Sequence, residues 1–198
     1  MVRQSESLRD RIMVTASQKH MSFPQQLSKM QALSADAFTK EGLNAHAILF
    51  DELHAQKTRV LWDTLLFAGV SRRNPLHISI TTAGYDRNSI CWEQHDYAKK
   101  VLEGHIEDWS FLAVIYGAPE DADWTDPAVW EAANPSYGVT IQADSFEQAC
   151  KSAQESPTKE NAFRRYRLNQ WTEQETRWLS MAAWDECGAE AIDMDALL

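Results

Sequence analysis

The sequence predicts an α/β fold. Three apolar runs, at 47–50, 76–82 and 111–116, have the composition of β-strands. Helical spacing of apolar residues separates the first run from the second, over 57–70, and the second from the third, over 89–103. Strands that alternate with helices in this order are typical of a sheet whose strands are joined by crossover helices.

The first part of the chain reads as short strands and loops. Residues 12–14 are predicted to form a strand, and Phe23-Pro24 excludes a helix there because proline restricts the residue before it. Gly42-Leu43-Asn44 predicts a turn. The run 47–50 is continuously apolar rather than alternating, which predicts a strand buried on both faces.

The next elements follow from periodicity. The helix over 57–70 carries an apolar stripe formed by Val60, Leu61, Leu65 and Leu66. The β-rich run 76–82 alternates in polarity and is closed by Ala83-Gly84. After Gly117 the chain is acidic, and we expect helices at 127–133, 145–153 and 159–168, followed by a tryptophan-rich extension with Trp171, Trp178 and Trp184. These changes predict two parts, residues 1–118 and residues 119–198.

Composition excludes several classes of protein. The 198 residues carry 19 basic and 29 acidic side chains, a net charge of −10, so bulk attraction to nucleic acid is excluded. The longest apolar run is far shorter than the roughly 20 residues of a membrane helix. The three cysteines, Cys91, Cys150 and Cys187, form no CxxC pair and do not indicate a disulfide scaffold or a cysteine zinc site.

Two carboxylates follow the first predicted buried strand, in Phe50-Asp51-Glu52-Leu53-His54. Ligands of open α/β sheets bind at the carboxyl ends of strands, where Asp51 and Glu52 are expected. One carboxylate could hold Mg²⁺, and the other could activate a water that attacks a γ-phosphate. An acidic helix N-cap after a strand is the alternative for this pattern. The histidines show no zinc-site spacing, and His54 is interpreted as a polar contact at the strand end.

Hydroxyls follow the second strand. Thr81 and Thr82 could sense a phosphate or its water by hydrogen bonding, and Gly84 would permit the turn. Threonine also simply favours strands. The chain has one dense basic cluster, with Arg164, Arg165 and Arg167 among aromatic residues. Inward packing of the aromatic residues, with the arginines paired to acids, is favoured over contact with DNA or another domain.

Several motifs in this order resemble the large terminase subunit of tailed bacteriophages, the motor that packages viral DNA. The resemblance rests on 32–44 leading into 50–56, Ile80–Gly84, Ala133-Asn134-Pro135-Ser136, Arg167-Leu168-Asn169-Gln170-Trp171, and Trp178-Leu179 with Trp184-Asp185. It covers nearly the whole chain. The fold it implies is a partial P-loop NTPase sheet of the ASCE type, with flanking helices and a helical, tryptophan-rich C-terminal extension.

The resemblance implies residue roles. Asp51 would be the Walker B carboxylate that holds Mg²⁺ through water, and Glu52 the catalytic base for ATP hydrolysis. Thr81, Thr82 and Gly84 would belong to the coupling motif. The implied partners are double-stranded DNA, the portal protein and the terminase small subunit. The resemblance implies no interaction with a membrane, and it is compatible with a homo-oligomer. The implied location is the cytoplasm of the bacterial host.

No GxxxxGK[ST] motif occurs in the sequence. The resemblance implies that the family's Walker A loop lies upstream of this chain, on a strand that sits in the sheet between those of Thr81-Thr82 and 111–116. The resemblance therefore predicts the second half of an ATPase domain, leading towards a nuclease domain beyond the chain, and an inactive chain in isolation. Two alternatives stand: a DExH helicase-like ATPase fragment, because 51–54 also fits a DExH box, and a non-enzymatic assembly module of the packaging machinery.

Overall fold

The computed structural model describes residues 2–34 and 42–172. Two compact units divide the chain, the first formed by residues 1–45 and 60–73, the second by residues 46–59 and 74–198. The predicted functional division after residue 118 falls inside the second unit and stays a prediction. Trp178, Trp184 and Cys187 lie outside the described residues, as does part of the motif at 32–44.

The first unit contains a small antiparallel sheet. The strands are β1 (Met13–Thr15), β2 (His20–Phe23) and β3 (Ser28–Gln31), in that spatial order, and a short helix, α1 (Glu6–Arg9), precedes them. Each hairpin is closed by a 3-10 turn that ends in a left-handed residue, Lys19 and Leu27 respectively. The predicted strand at 12–14 is confirmed with a shift of one residue.

Helix α2 (Val60–Leu66) belongs to the same unit and is shorter than the predicted 57–70. Leu61 and Leu65 are buried as the stripe predicts. Val60 and Leu66 are exposed, and Trp62 takes a buried position instead. The apolar face is therefore rotated by part of a turn from the predicted one.

The second unit is built around two parallel strands, β4 (Ala47–Asp51) and β5 (Leu76–Ile80). Their register pairs Ala47 with Leu76 and Asp51 with Ile80, so both strands end at the same edge. The long helix α3 (Ile90–Leu102) follows, and the Ser89 hydroxyl caps it by accepting the Trp92 amide N–H. The predicted parallel α/β arrangement of these strands is confirmed.

Three further helices lie in the described part of this unit: α4 (Pro127–Ala133), α5 (Ala143–Gln154) and α6 (Pro157–Leu168). The sequence predicts all three, although α5 and α6 each begin two residues earlier than expected. Their shared core is a cluster of aromatic rings in which Trp130, Phe146 and Phe163 lie with centroids 5.6 to 6.1 Å apart. Phe146 is completely buried at the centre.

Two predictions about the sheet are wrong. The run 47–50 is not buried on both faces, because Ile48 and Phe50 are buried while Ala47 and Leu49 are exposed. Residues 111–116 do not form a strand in the described part of the chain, although their exposure alternates. A continuous apolar run predicts a buried strand, but a strand also needs a neighbouring backbone to bond with, and no described strand pairs with this segment.

Candidate functional site

The acidic pair lies where the sequence predicts it, at the carboxyl end of β4. Asp51 is the last residue of the strand, and Glu52 follows in the left-handed conformation, with φ 54° and ψ 53°. The chain then enters a 3-10 turn, Leu53–Ala55, whose Leu53 side chain is buried. A left-handed glutamate is costly for the backbone, and residues held in this way cluster at functional sites.

The two threonines stand beside this turn. Since Asp51 pairs with Ile80 in the parallel register, Thr81 and Thr82 continue directly past the same edge of the sheet. The backbone N–H of His54 donates to the Thr81 hydroxyl at 3.0 Å. The parallel ladder and this hydrogen bond bring the two predicted motifs together in one cluster.

His54 connects the acid to the hydroxyls. Its Nδ1 lies 3.1 Å from Glu52 Oε2, 3.1 Å from Thr81 Oγ1 and 3.4 Å from Thr82 Oγ1. The Thr81 hydroxyl donates its one proton to the Thr82 carbonyl, so it can only accept from the ring. The geometry therefore favours a proton on Nδ1, shared between the Glu52 carboxylate and Thr81. The expected polar contact at the strand end is thus a link between the two motifs.

Cys91 closes the inner side of the cluster. It is the second residue of helix α3 and is buried, with its sulfur 3.6 Å from Thr81 Oγ1. Burial raises the pKa of the Cys91 thiol. The thiol is a protonated packing group at neutral pH, and the sequence gives no signal for its place here.

Gly84 is favoured by close packing rather than by its backbone angles. A Cβ built at Gly84 would lie 3.0 Å from a ring carbon of Trp171, so any larger residue would require the ring to move by a few tenths of an ångström. Trp171 stacks edge-on against Trp92 at 4.8 Å, and its ring centroid is 5.4 Å from that of His95. The turn after β5 is therefore fixed against α3 by an aromatic contact.

The arginine side chains of α6 contact acidic and aromatic residues of the second unit. Arg164 pairs with Glu160 at 2.8 Å, as the packing interpretation expects. Arg165 is only 6% exposed and lies over the rings of Tyr85 and Tyr166, while Arg167 lies over Phe146. Phe163 is buried, but Tyr166 is exposed, so only part of the aromatic set packs inward. A role of these arginines towards DNA or another domain stays a prediction.

Asp51 is the residue that suits a hydrated cation. Its carboxylate is exposed and makes no hydrogen bond or ion pair with any residue in 2–34 or 42–172. Mg²⁺ is commonly bound through one or two carboxylates and keeps several waters, so one free carboxylate beside a phosphate is a sufficient protein contribution. Within those same ranges, no three His, Cys, Asp or Glu residues group into a preformed metal cage.

The sheet edge thus defines a class: an α/β protein with a carboxylate pair and hydroxyls at the carboxyl ends of two adjacent parallel strands. Comparison with known families matches residues 1–100 to the ATPase domain of the terminase large subunit and residues 105–197 to its endonuclease domain. The chain belongs to the terminase large subunit family.

Individual proteins that are similar to this chain are consistent with this family. The chain is 29% identical over 155 residues to protein YmfN of Escherichia coli K12, covering 78% of this chain and 34% of that protein. It is also 29% identical over 165 residues to the terminase large subunit of Enterobacteria phage HK97, covering 82% of this chain and 32% of the relative. The chain therefore spans about a third of the length of these relatives.

A solved structure shares the fold. The crystal structure of the HK97 bacteriophage large terminase superposes with a TM-score of 0.74 at 27% identity, over 98% of this chain and 40% of that one. In the described ranges no helix is both long and apolar enough to cross a bilayer.

Proposed function

We propose that this chain carries the hydrolytic and coupling residues of a terminase motor that drives viral DNA into a procapsid with energy from ATP. The observation that carries the proposal is the cluster at the edge of the β4–β5 sheet, where His54 Nδ1 lies 3.1 Å from Glu52 Oε2 and 3.1 Å from Thr81 Oγ1. Membership of the terminase large subunit family supports ATP as the nucleotide.

Each residue has a role in this proposal. Glu52 takes a proton from the water that attacks the γ-phosphate. Asp51 holds Mg²⁺ through water, and the ion supplies charge neutralisation on the phosphate oxygens. Thr81 and Thr82, with the turn at Gly84, transmit structural changes at the nucleotide site to the rest of the second unit through their contacts with His54 and α3.

The phosphate cradle is the part this sequence does not supply. A Walker A loop binds phosphates through backbone N–H groups and a lysine, and no GxxxxGK[ST] run occurs among the 198 residues. We therefore propose that the isolated chain has no ATPase activity above background. The packaging partners in this proposal are double-stranded DNA, the portal protein and the terminase small subunit, and the site of action is the cytoplasm of the bacterial host.

A fusion tests the catalytic roles. The chain is joined to the part of the HK97 terminase large subunit that precedes the matched region, and Mg²⁺-dependent ATP hydrolysis is measured. We expect activity that falls about 100-fold or more in Asp51→Ala and Glu52→Gln, the usual scale for loss of a catalytic acid or base. Glu103→Gln, at an exposed position after α3, is the matched control and should leave the rate unchanged.

The outcomes separate the candidate functions. Hydrolysis that survives Glu52→Gln contradicts the catalytic assignment. Steady hydrolysis by the unfused chain, abolished by Glu52→Gln, contradicts its predicted inactivity. Binding to portal protein or small subunit that is insensitive to Asp51→Ala, in a fusion without activity, would support the assembly-module alternative instead.

A further inference from the structure

A short segment that begins with the last residue of α6 lies beside the turn that follows β5. We call residues 168–172 the strap. Its contacts reach two separate places: the turn after β5, residues 81–84, which we call the coupling turn, and the chain just after the extended segment 111–116. The Leu168 carbonyl accepts the Ala118 N–H at 2.9 Å, and the Thr172 N–H donates to the Gly84 carbonyl at 3.4 Å.

Asn169 joins the two places with one side chain. Its Oδ1 accepts the backbone N–H of Ala83 at 2.5 Å. Its Nδ2 donates to the backbone carbonyl of Tyr116 at 2.6 Å. One amide group thus bridges the coupling turn and the end of segment 111–116, which no described backbone ladder connects.

The surroundings of Asn169 are built for this contact. The residue is left-handed, with φ 53°, which turns its side chain back across the sheet edge at the end of α6. A Cβ at Gly117 would lie 3.1 Å from the Asn169 carbonyl oxygen, so the segment approaches the strap as closely as a glycine allows. On the next residue, Gln170 Nε2 donates to the Pro119 carbonyl at 2.5 Å.

We propose that Asn169 is a positioning residue for the coupling motif: its side-chain amide fixes the coupling turn against segment 111–116 and so holds Thr81 and Thr82 beside His54 and Glu52. The inference rests on the proposed function for the meaning of that position, but the bridge itself is independent of catalysis. The strap and segment 111–116 both lie inside residues 105–197, the region that matches the endonuclease domain, so the Asn169 bridge connects the coupling motif to that region.

An ordinary helix cap is the competing explanation. Asparagine commonly ends helices in the left-handed conformation, and a cap of that kind needs only the backbone. Glycine adopts the same conformation without strain. Asn169→Gly therefore keeps the cap and removes the bridge, whereas Asn169→Asp keeps the acceptor for Ala83 and removes the donor to Tyr116.

The experiment is NMR on the full chain. Amide hydrogen exchange of Ala83, the carbonyl ¹³C shift of Tyr116 and the ring ¹⁵N shifts of His54 are compared in the wild type and the two variants. Asn169→Gly should speed exchange at Ala83 by about fivefold to tenfold, the scale of one lost hydrogen bond, and move the His54 ring signals. Asn169→Asp should keep Ala83 slow while the Tyr116 carbonyl shifts.

Asn134→Ala is the matched control. Asn134 donates from its side chain to the carbonyls of Trp130 and Arg167, one residue before the strap, without touching the coupling turn. It should lower overall stability and leave the His54 signals in place. Either of two results overturns the proposal: unchanged amide exchange at Ala83 in Asn169→Gly, or an unshifted Tyr116 carbonyl signal in Asn169→Asp. Neither readout involves ATP, so failure of the proposed function in the fusion assay is a separate result.

Discussion

At the scale of single residues, Glu52 combines a strained backbone with the side chain proposed as catalytic base. A left-handed conformation costs a non-glycine residue about 1–2 kcal/mol, whereas a glycine there costs roughly 0.5–1 kcal/mol in extra chain entropy. The contact with His54 offsets little of this, since the glutamate side chain is 58% exposed. The sequence therefore keeps glutamate at this position against a backbone preference for glycine.

This strain predicts a separation of stability from function. Glu52→Gly should be more stable than Glu52→Gln by about 0.5 kcal/mol, with a Tm about 2 °C higher. Both variants lose the carboxylate, but only glycine relaxes the left-handed backbone. Thermal unfolding followed by circular dichroism measures the difference. A Glu52→Gly variant clearly less stable than Glu52→Gln would show that the left-handed backbone is not strained.

The site residues show what sequence can and cannot supply at this scale. Asp51, Glu52, Thr81 and Thr82 could be predicted because chemistry-bearing side chains directly follow apolar strand patterns. Asn169 could not, because its role depends on a chain reversal that brings a residue 86 positions away to the Ala83 N–H. Its motif was visible only as part of a family resemblance.

At the scale of elements, helix α3 carries a histidine in an aromatic setting. The His95 ring packs beside the Trp92–Trp171 pair, with its centroid 5.5 Å from that of Trp92 and 5.4 Å from that of Trp171. Burial lowers the pKa of His95 below 6.5, and the charge of nearby Lys99 adds to that effect, while Asp96 and Glu120 oppose it. The folded chain therefore resists protonation at this position more than the unfolded chain does.

The sign of the pH dependence follows from this. Because the unfolded chain binds the proton more readily, the free energy of unfolding should fall as the pH drops below about 6.5 and recover above it. Burial also lowers the pKa of His77, so part of the slope remains when His95 is replaced. Urea unfolding at several pH values should give a shallower slope for His95→Gln than for wild type. Identical slopes would contradict the assignment.

The aromatic core of α4, α5 and α6 predicts the largest stability effect. Phe146 is completely buried and touches the ring of Trp130, so Phe146→Ala should cost about 3–5 kcal/mol through lost burial and a cavity. Val139→Ala, at an exposed position in the loop before α5, should change stability by less than about 0.5 kcal/mol. Denaturant unfolding compares the two. A similar loss for both variants would place the core elsewhere.

The elements differ in how far the sequence determines them. Helices α3 to α6 were predictable because caps, prolines and the 3.6-residue period are local signals. The parallel pair β4–β5 was predictable from the order of elements. Segment 111–116 was not, because a continuous apolar run indicates a buried segment, whereas a strand depends on which backbone lies beside it. The extended segment instead bonds through Asn169 at its end.

At the scale of the whole molecule, one face of the β4–β5 sheet is apolar and exposed. The parallel register places Leu49 opposite Ile78, and both are exposed, at 56% and 37%. Parallel sheets are normally covered on both faces. Leu76 and Ile80 extend the same face along β5, so the exposed side chains form a continuous row rather than isolated residues.

This face predicts reversible self-association of the purified chain, since an exposed apolar sheet surface, next to strand edges that no strand in 2–34 or 42–172 pairs with, favours contact between copies. Leu49→Thr with Ile78→Thr keeps residues that suit strands and removes most of the apolar surface. Burial of one such side chain is worth about 1.5–3 kcal/mol, so the double variant should associate at least about tenfold more weakly. Sedimentation velocity over a wide range of concentration measures this.

Val70→Thr, at an exposed position of the first unit, should associate like wild type, because it lies outside the sheet. Equal weakening in both variants would show that general surface hydrophobicity, not this face, holds the copies together.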